Sequence, residues 1–126
     1  MTNIFFKLPS GYFDADHLRE EYEYFKEDTF EYLKWKPRAA LIDKNGKTSR
    51  LYTGQKYDLN FTDLVENGWT QDHCGVCSLT LTGFENECQQ TSGYFNGHDW
   101  VCKWCYENII ATGDIEKRLL ELPKKE

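Results

Sequence analysis

Apolar residues in the first third of the chain follow two different periods. Residues 3–8 are a short, largely apolar run that predicts a β-strand, which the following Pro-Ser-Gly turn ends. Beyond Asp14 and Asp16, either of which can cap a helix, apolar side chains recur every three or four residues. That spacing predicts an amphipathic helix over residues 15–36, which Pro37 ends. Its apolar stripe consists of Leu18, Tyr22, Phe25, Thr29, Tyr32 and Leu33.

Downstream of the proline, the pattern indicates short antiparallel strands. Residues 39–42 and 50–53 flank Asn45-Gly46, and Asn-Gly is a strong hairpin signal because both residues tolerate positive φ. Residues 56–61 are a further candidate strand, and Thr62 can cap a short helix through Asn67. We therefore expect a helix packed on a small antiparallel sheet in this half of the chain.

The composition changes where the cysteine-bearing part begins. We expect an N-terminal α+β part over residues 1–68 and a second part over 69–126, packed together as one unit. In the second part, residues 78–82 alternate polar and apolar side chains like a strand, and Tyr94-Phe95 supplies the return strand of a hairpin. Residues 106–111 predict a C-terminal helix.

Four of the five cysteines form two C-x-x-C pairs, Cys74 with Cys77 and Cys102 with Cys105. A C-x-x-C turn places two thiolates on the same side of a tight loop, and two such turns supply the four soft ligands of a tetrahedral Zn²⁺ site. Gly75 eases the first turn because a glycine backbone adopts conformations closed to other residues. The spacing predicts one structural zinc ion bound by the four thiolates.

Other roles for the cysteines explain less of the pattern. Redox chemistry would use the second pair at a helix start but leaves the first pair without a role, and a reducing cytosol disfavours disulfides. Cys88 is the spare cysteine and shows no metal-ligand spacing. His73, next to the first pair, is a candidate substitute ligand or outer hydrogen-bonding partner. His17 and His98 have no partner that the sequence identifies.

The order of elements around the cysteines is a knuckle, a hairpin and a second knuckle that opens a helix. This is the order of a treble clef, a relative of the zinc ribbon, and the N-terminus of the helix would favour thiolate charge. The predicted fold class is therefore α+β. An N-terminal helix with a small antiparallel sheet precedes a four-cysteine zinc module and a C-terminal helix.

Charge and composition narrow the classes of function. The chain has 126 residues, with 15 basic and 21 acidic side chains and a formal net charge of −6. Nucleic-acid binding would require clustered Lys and Arg, so this balance disfavours it. No apolar run approaches the roughly 20 residues of a membrane span, and the N-terminus lacks the pattern of a leader peptide. We therefore expect a cytoplasmic protein without a membrane segment.

The cysteine-bearing part also resembles a group of small bacterial proteins. They share a Trp, a His-Cys-x-x-Cys element, a Gly-Tyr pair and a Trp-x-Cys-x-x-Cys-Tyr/Phe element, which residues 68–77, Gly93-Tyr94 and residues 100–106 match here. The similarity covers about the last third of the chain, and some members are similar to immunity proteins encoded beside toxins. The resemblance implies the same four cysteines as ligands and transfers no catalytic residue.

Three kinds of function remain open. A protein-binding module, with neutralisation of a basic toxin as its favoured form, agrees with the acidic surface, the aromatic residues and the lack of a catalytic set. Its expected contact regions are the acidic face of the helix and residues 84–93. A zinc-dependent nucleic-acid-binding or transcriptional regulatory protein is the alternative, which the charge disfavours. An enzyme would need an open position on the zinc ion, and four thiolates close the coordination sphere.

Overall fold

The chain begins with two strands and not with the predicted N-terminal helix, so the expected order of elements is wrong. A computed structural model describes residues 4–83 and 89–124. Within those ranges the fold is mixed α+β, as expected. The strands are β1 (Phe5–Leu8), β2 (Gly11–Asp14), β3 (Glu31–Lys34), β4 (Arg38–Asp43), β5 (Ser49–Leu51), β6 (Thr62–Trp69), β7 (Asp72–His73), β8 (Thr80–Leu81), β9 (Gln89–Gln90), β10 (Ser92–Phe95) and β11 (Trp100–Cys102). The helices are α1 (Ala15–Phe25), α2 (Lys103–Asn108) and α3 (Ile115–Glu121), with a 3-10 turn at Ile110–Thr112. None of these described helices has the length and apolar character to cross a membrane.

A hairpin precedes the first helix. β1 pairs antiparallel with β2, so that Leu8 lies opposite Gly11 and Phe5 opposite Asp14. Asp14 then caps α1, because its carboxylate accepts a hydrogen bond from the backbone N–H of His17 at 2.9 Å. One of the two predicted capping residues is therefore the N-cap.

The helix α1 ends at Phe25, so its predicted extent to residue 36 is wrong. Its buried face consists of Leu18, Tyr22 and Phe25. Tyr32 and Leu33, at the end of the same apolar stripe, lie instead in β3, which pairs antiparallel with β10. The ring of Tyr32 lies 5.0 Å from that of its β10 partner, and such cross-strand pairs stabilise a sheet. Because the partner strand is distant in sequence, helical periodicity does not register it, and Pro37 follows a strand.

The predicted hairpin around Asn45-Gly46 is confirmed. β4 pairs antiparallel with β5, and Ala40 lies opposite Leu51. The Asn45 side chain accepts a hydrogen bond from the Lys47 N–H at 2.9 Å. Gly46 has a φ of 73°, a left-handed conformation that glycine adopts without a steric cost. The local chemistry of this turn is therefore sufficient to specify it.

The segment after β5 differs from the prediction. Residues 56–61, all described, form no strand, and the predicted helix from Thr62 to Asn67 is wrong because these residues belong to β6. β6 pairs antiparallel with β4, which is therefore the central strand of a three-stranded sheet. The register shifts opposite Arg38 and Ala40, as at a β-bulge. Pairing with a strand earlier in the chain outweighs the local capping signal at Thr62.

The strands of the cysteine-bearing part belong to two sheets. β8 is shorter than predicted, and it pairs antiparallel with β7 and parallel with β9. The expected hairpin between residues 78–82 and Tyr94-Phe95 is wrong, because β10 pairs with β11 and β3. The Asn96 side chain closes the turn between β10 and β11 by accepting a hydrogen bond from the Asp99 N–H at 2.6 Å. The hairpin β10–β11 then leads directly into α2.

One hydrophobic core joins elements from both ends of the described chain. Its buried members include Phe6, Leu18, Phe25, the four paired cysteines, Ile109 and Leu119. A smaller cluster consists of Trp35, Leu81 and Trp100. The pairing of β3 with β10 also crosses residue 68. The division into parts 1–68 and 69–126 stays a prediction.

Candidate metal centre

The four paired cysteines meet in the buried core. Their Sγ atoms all lie within 4.8 Å of one another, and each of the four residues is at most 2% exposed. The Sγ atoms of Cys77 and Cys102 are 3.8 Å apart, well beyond the roughly 2.05 Å of a disulfide bond. All four are free cysteines. The structure thus brings the predicted residues together in a position suited to a metal ion.

The spacing of the sulfur atoms fits a tetrahedral ion. Metal–thiolate bonds of about 2.3 Å, the length found for zinc, place the sulfurs of a regular tetrahedron about 3.8 Å apart. The separation of Cys77 and Cys102 equals that edge, and the other pairs need only small adjustments within their 4.8 Å limit. Four sulfur donors also suit borderline and soft ions, whereas Mg²⁺ and Ca²⁺ prefer oxygen.

Backbone hydrogen bonds shape the first pair into a turn. The N–H groups of Val76 and Cys77 point at the Cys74 Sγ, at nitrogen–sulfur distances of 3.4 and 3.5 Å. The Ser78 N–H donates to the Cys74 carbonyl at 2.8 Å, and Ser78 has a φ of 67°. Two amides directed at one sulfur stabilise its thiolate form, which is the form that binds a metal.

Gly75 is required in this turn for a reason that the sequence did not predict. It is not one of the described glycines with positive φ, so backbone freedom does not explain it. A Cβ at this position would lie 2.8 Å from Cζ of Phe25 and 3.1 Å from its Cε2. Phe25 is only 2% exposed, and its ring is confined by the core. Gly75 therefore allows the turn to approach the end of α1.

The second pair lies where β11 becomes α2. Cys102 ends β11 and is the N-cap residue of α2, and Cys105 lies inside that helix. The expected helix at the second pair is therefore present. The N–H of Gly75 donates to the carbonyl of Trp100 at 2.8 Å, which joins the backbone of the first turn to β11. The two pairs are held together by backbone contacts as well as by their sulfur atoms.

Two side chains of the N-terminal segment hold the first pair, and sequence reasoning missed both. The His17 Nε2 donates to the Val76 carbonyl at 2.6 Å, and the Ser10 Oγ donates to the Cys77 carbonyl. The His17 ring is stacked on Phe13, with centroids 4.9 Å apart. These hydrogen bonds join residues 59 and 67 positions apart, so no local pattern could reveal them.

The four thiols titrate as one coupled set. Hydrogen bonds with Cys102, Cys105 and Cys74 hold the pKa of the Cys77 thiol far below its usual range. Hydrogen bonds with Cys102, Cys74 and Cys77, together with burial, raise the pKa of the Cys105 thiol far above it. Full ionisation of all four therefore needs a cation among them, and metal binding is coupled to proton release.

The remaining sequence candidates do not join the sulfur cluster. His73 is exposed, and its ring nitrogens lie 3.4 Å from the Thr80 Oγ1 and the Gln71 Nε2. His98 is also exposed, and Cys88 lies outside the described residues. Within residues 4–83 and 89–124, the group that could hold a metal ion consists of cysteines alone.

A half-buried carboxylate organises the tryptophans beside the centre. Asp72 accepts hydrogen bonds from the indole N–H groups of Trp35 at 2.9 Å and Trp69 at 3.0 Å. The Arg38 guanidinium donates to the same carboxylate at 3.2 Å. The sequence indicated aromatic packing near the cysteines but gave no signal for this acceptor. Asp72 ties β6 and the segment around Trp35 to the strand that precedes Cys74.

Comparisons with protein-family models, curated proteins and solved structures give no match to this chain. Its metal centre and its surface are therefore the only guides to its function.

Proposed function

We propose that this chain is a zinc-stabilised protein-binding module without enzymatic activity, whose favoured role is that of an immunity protein inhibiting a bacterial toxin. The observation that carries the proposal is an exposed tyrosine, Tyr24, set among carboxylates on the surface beside α1. The metal centre would hold the surrounding chain in one conformation. A cytoplasmic location, where thiols stay reduced, would preserve its four ligands.

Zinc is the ion that we assign to the four cysteines. Tetrahedral sites made of four thiolates are typical of structural zinc, which supplies folding free energy when bound. The order of elements supports a treble-clef arrangement, because the turn at residues 74–77 precedes the β10–β11 hairpin and α2 carries the second pair. The ion would neutralise thiolate charge and cross-link the first turn to the start of α2.

A closed coordination sphere supports a structural and not a catalytic role. Catalytic zinc keeps a position open for water or substrate. Here four cysteines would occupy every position, and none of them is more than 2% exposed. A substrate would therefore have neither a vacant site on the ion nor a path to it.

Tyr24 offers an anchor for a protein partner. The residue is 65% exposed, and its hydroxyl lies 3.5 Å from the carboxylate of Asp99. The charge of Asp99, followed by desolvation and the charges of Asp28 and Glu21, raises the pKa of the Tyr24 hydroxyl. Negative charge therefore dominates around this ring. We call Tyr24, Glu21, Asp28 and Asp99 the Tyr24 surface.

The chemistry of the Tyr24 surface suits a basic partner. Tyrosine is enriched at protein interfaces, and an Arg or Lys over an exposed ring contributes about 0.5–1 kcal/mol. Carboxylates around the ring would speed the encounter with such a partner. Because the Debye length is about 8 Å at physiological ionic strength, the association rate should fall as salt rises. The second expected contact region, residues 84–93, lies partly outside the described residues.

The test is capture of partners from native lysate by the tagged chain and by two matched variants. Tyr24→Ala should lose the partner because it removes the anchor. Leu59→Ala truncates another exposed side chain, which lies in the loop before β6 and is 70% exposed, and it should retain the partner. The association rate of the captured protein is then measured at low and at physiological salt.

Each outcome of this experiment bears on the proposal. A basic toxin that loses its activity when the chain is added would support the immunity role. Equal capture by wild type and by Tyr24→Ala would place the contact outside the Tyr24 surface. A parallel titration with DNA and RNA tests the alternative function. Tight nucleic-acid binding at physiological salt, with no protein partner recovered, would end the proposal.

A further inference from the structure

We propose that His17 is a positioning residue of the metal centre, which sets the geometry of the first cysteine pair without touching the ion. This inference rests on the proposed assignment of a metal to the four cysteines. It concerns a side chain on α1, far from either C-x-x-C motif in the sequence.

One peptide group links His17 to a ligand. The His17 Nε2–H donates to the carbonyl oxygen of Val76 at 2.6 Å. The same peptide group carries the N–H of Cys77, which points at the Cys74 Sγ from 3.5 Å. A peptide group is planar, so a hydrogen bond that fixes its carbonyl also fixes the direction of its N–H. His17 therefore orients an N–H group that stabilises the Cys74 thiolate.

The buried Val76 carbonyl depends on this partner. Val76 is 1% exposed, and a buried carbonyl without a hydrogen bond is costly. Loss of the His17 donor would favour rotation of the peptide group toward another partner. Such a rotation would turn the Cys77 N–H away from the Cys74 sulfur, and the turn would lose its ligand geometry.

The His17 ring is itself held in place. Its backbone N–H bonds to the Asp14 carboxylate at 2.9 Å, and its ring is stacked on Phe13. Ser10 binds the next carbonyl, that of Cys77, and the Phe25 ring contacts Gly75. The N-terminal segment thus contacts three consecutive residues of the turn, and His17 supplies the hydrogen bond at its centre.

The consequence is a metal affinity that depends on α1. Outer hydrogen-bonding partners of metal ligands typically change metal affinity about 10–100-fold when they are removed. His17→Leu should therefore release zinc to a competing chelator about tenfold faster than wild type or more. His17→Gln retains an N–H donor at the end of its side chain and should fall between the two.

Two control variants separate positioning from general destabilisation. His98→Gln changes an exposed histidine, and its release rate should match that of wild type. Asp114→Ala removes the cap of α3, where the carboxylate accepts a hydrogen bond from the Lys117 N–H at 3.1 Å. It weakens the fold without removing a contact to the first turn, so its release rate should also stay near that of wild type.

Cobalt substitution of the full chain gives a second readout. All variants should keep the thiolate-to-metal charge-transfer intensity of four sulfur ligands, because His17 is not a ligand. The d–d bands, which report tetrahedral geometry, should shift in the His17 variants and not in Asp114→Ala.

Three results would overturn the proposal. One is equal zinc release by wild type, His17→Leu and His17→Gln. Another is equal acceleration by His17→Leu and Asp114→Ala with unchanged cobalt spectra, which would indicate a purely structural role. A wild-type chain that binds neither zinc nor cobalt would overturn this inference together with the zinc assignment. Tight metal binding that is insensitive to His17 would leave that assignment intact and refute the positioning role.

Discussion

Replacement of Gly75 by alanine tests how closely the metal-binding turn packs on α1. The added Cβ would lie 2.8 Å from the Phe25 Cζ and 3.1 Å from the Cε2, whereas carbon atoms in favourable contact are about 3.5–4.0 Å apart. Phe25 belongs to the same buried cluster as the four cysteines. Relief of the overlap therefore requires the ring, the turn or both to move.

The expected loss of stability follows from two opposing contributions. Overpacking of a core by one carbon typically costs about 1–3 kcal/mol. Alanine also restricts the unfolded chain, which contributes about 0.4–1 kcal/mol in favour of folding where φ is ordinary, as it is at Gly75. The steric contribution is larger, so we expect a net destabilisation of about 1–2 kcal/mol. For a chain of this size the melting temperature should fall by roughly 3–8 °C.

The assay is denaturant and thermal unfolding at a fixed free zinc concentration, because ligand binding shifts apparent stability. Gly83→Ala is the matched control. No atom lies within 4 Å of a Cβ built at Gly83, and this glycine does not have positive φ. Its substitution should leave stability unchanged or slightly increased. Phe25→Leu, alone and combined with Gly75→Ala, completes a double-mutant cycle.

The cycle identifies the source of the effect. If the ring causes the strain, Gly75→Ala should be much less damaging when Phe25 is already leucine, with a coupling of about 0.5–3 kcal/mol. A Gly75→Ala chain as stable as wild type would refute the reasoning. So would an equal loss in both backgrounds, because the clash with Phe25 would then not be responsible.

Three further predictions concern the metal and its surroundings. Protein purified without added metal should contain close to one equivalent of zinc by elemental analysis, and intact disulfides with almost no zinc would contradict the site. Cys74→Ser and Cys102→Ser should unfold the cysteine-bearing part, because metal binding supplies of order 10 kcal/mol, whereas Cys88→Ser should be nearly neutral. Equal thermal stability of the three variants would disprove this. Asp72→Ala strands two indole donors and one guanidinium donor and should cost about 2–4 kcal/mol by thermal unfolding, against under about 1 kcal/mol for the exposed Asp63→Ala.

Local chemistry explains the elements that were predicted correctly. The hairpin at Asn45-Gly46 depends on a few adjacent residues, and the cap at Asp14 depends on one carboxylate and the amide three positions later. The same holds for each C-x-x-C pair, whose spacing brings two sulfurs to one side of a turn. Convergence of the two pairs followed from chemistry, because zinc requires four ligands and the chain offers four paired thiols.

The errors have a common physical cause. β3 was predicted as helix because Tyr32 and Leu33 continue the periodic stripe of α1, and the start of β6 was predicted as helix from the cap signal at Thr62. In both segments hydrogen bonds to a strand distant in sequence provide more stability than the local preference. A helical pattern and a strand that pairs elsewhere can therefore share the same residues.

The sequence by itself determined the α+β class, the four cysteines of the metal centre and the turns that place them, because each depends on chemistry within a few residues. Tertiary structure alone decided that Gly75 accommodates the Phe25 ring and that His17 and Asp72 hold the surroundings of the centre. These contacts join residues that only the folded chain brings together. Their energies come from the burial of donors, acceptors and rings against distant partners, and no local pattern records that burial.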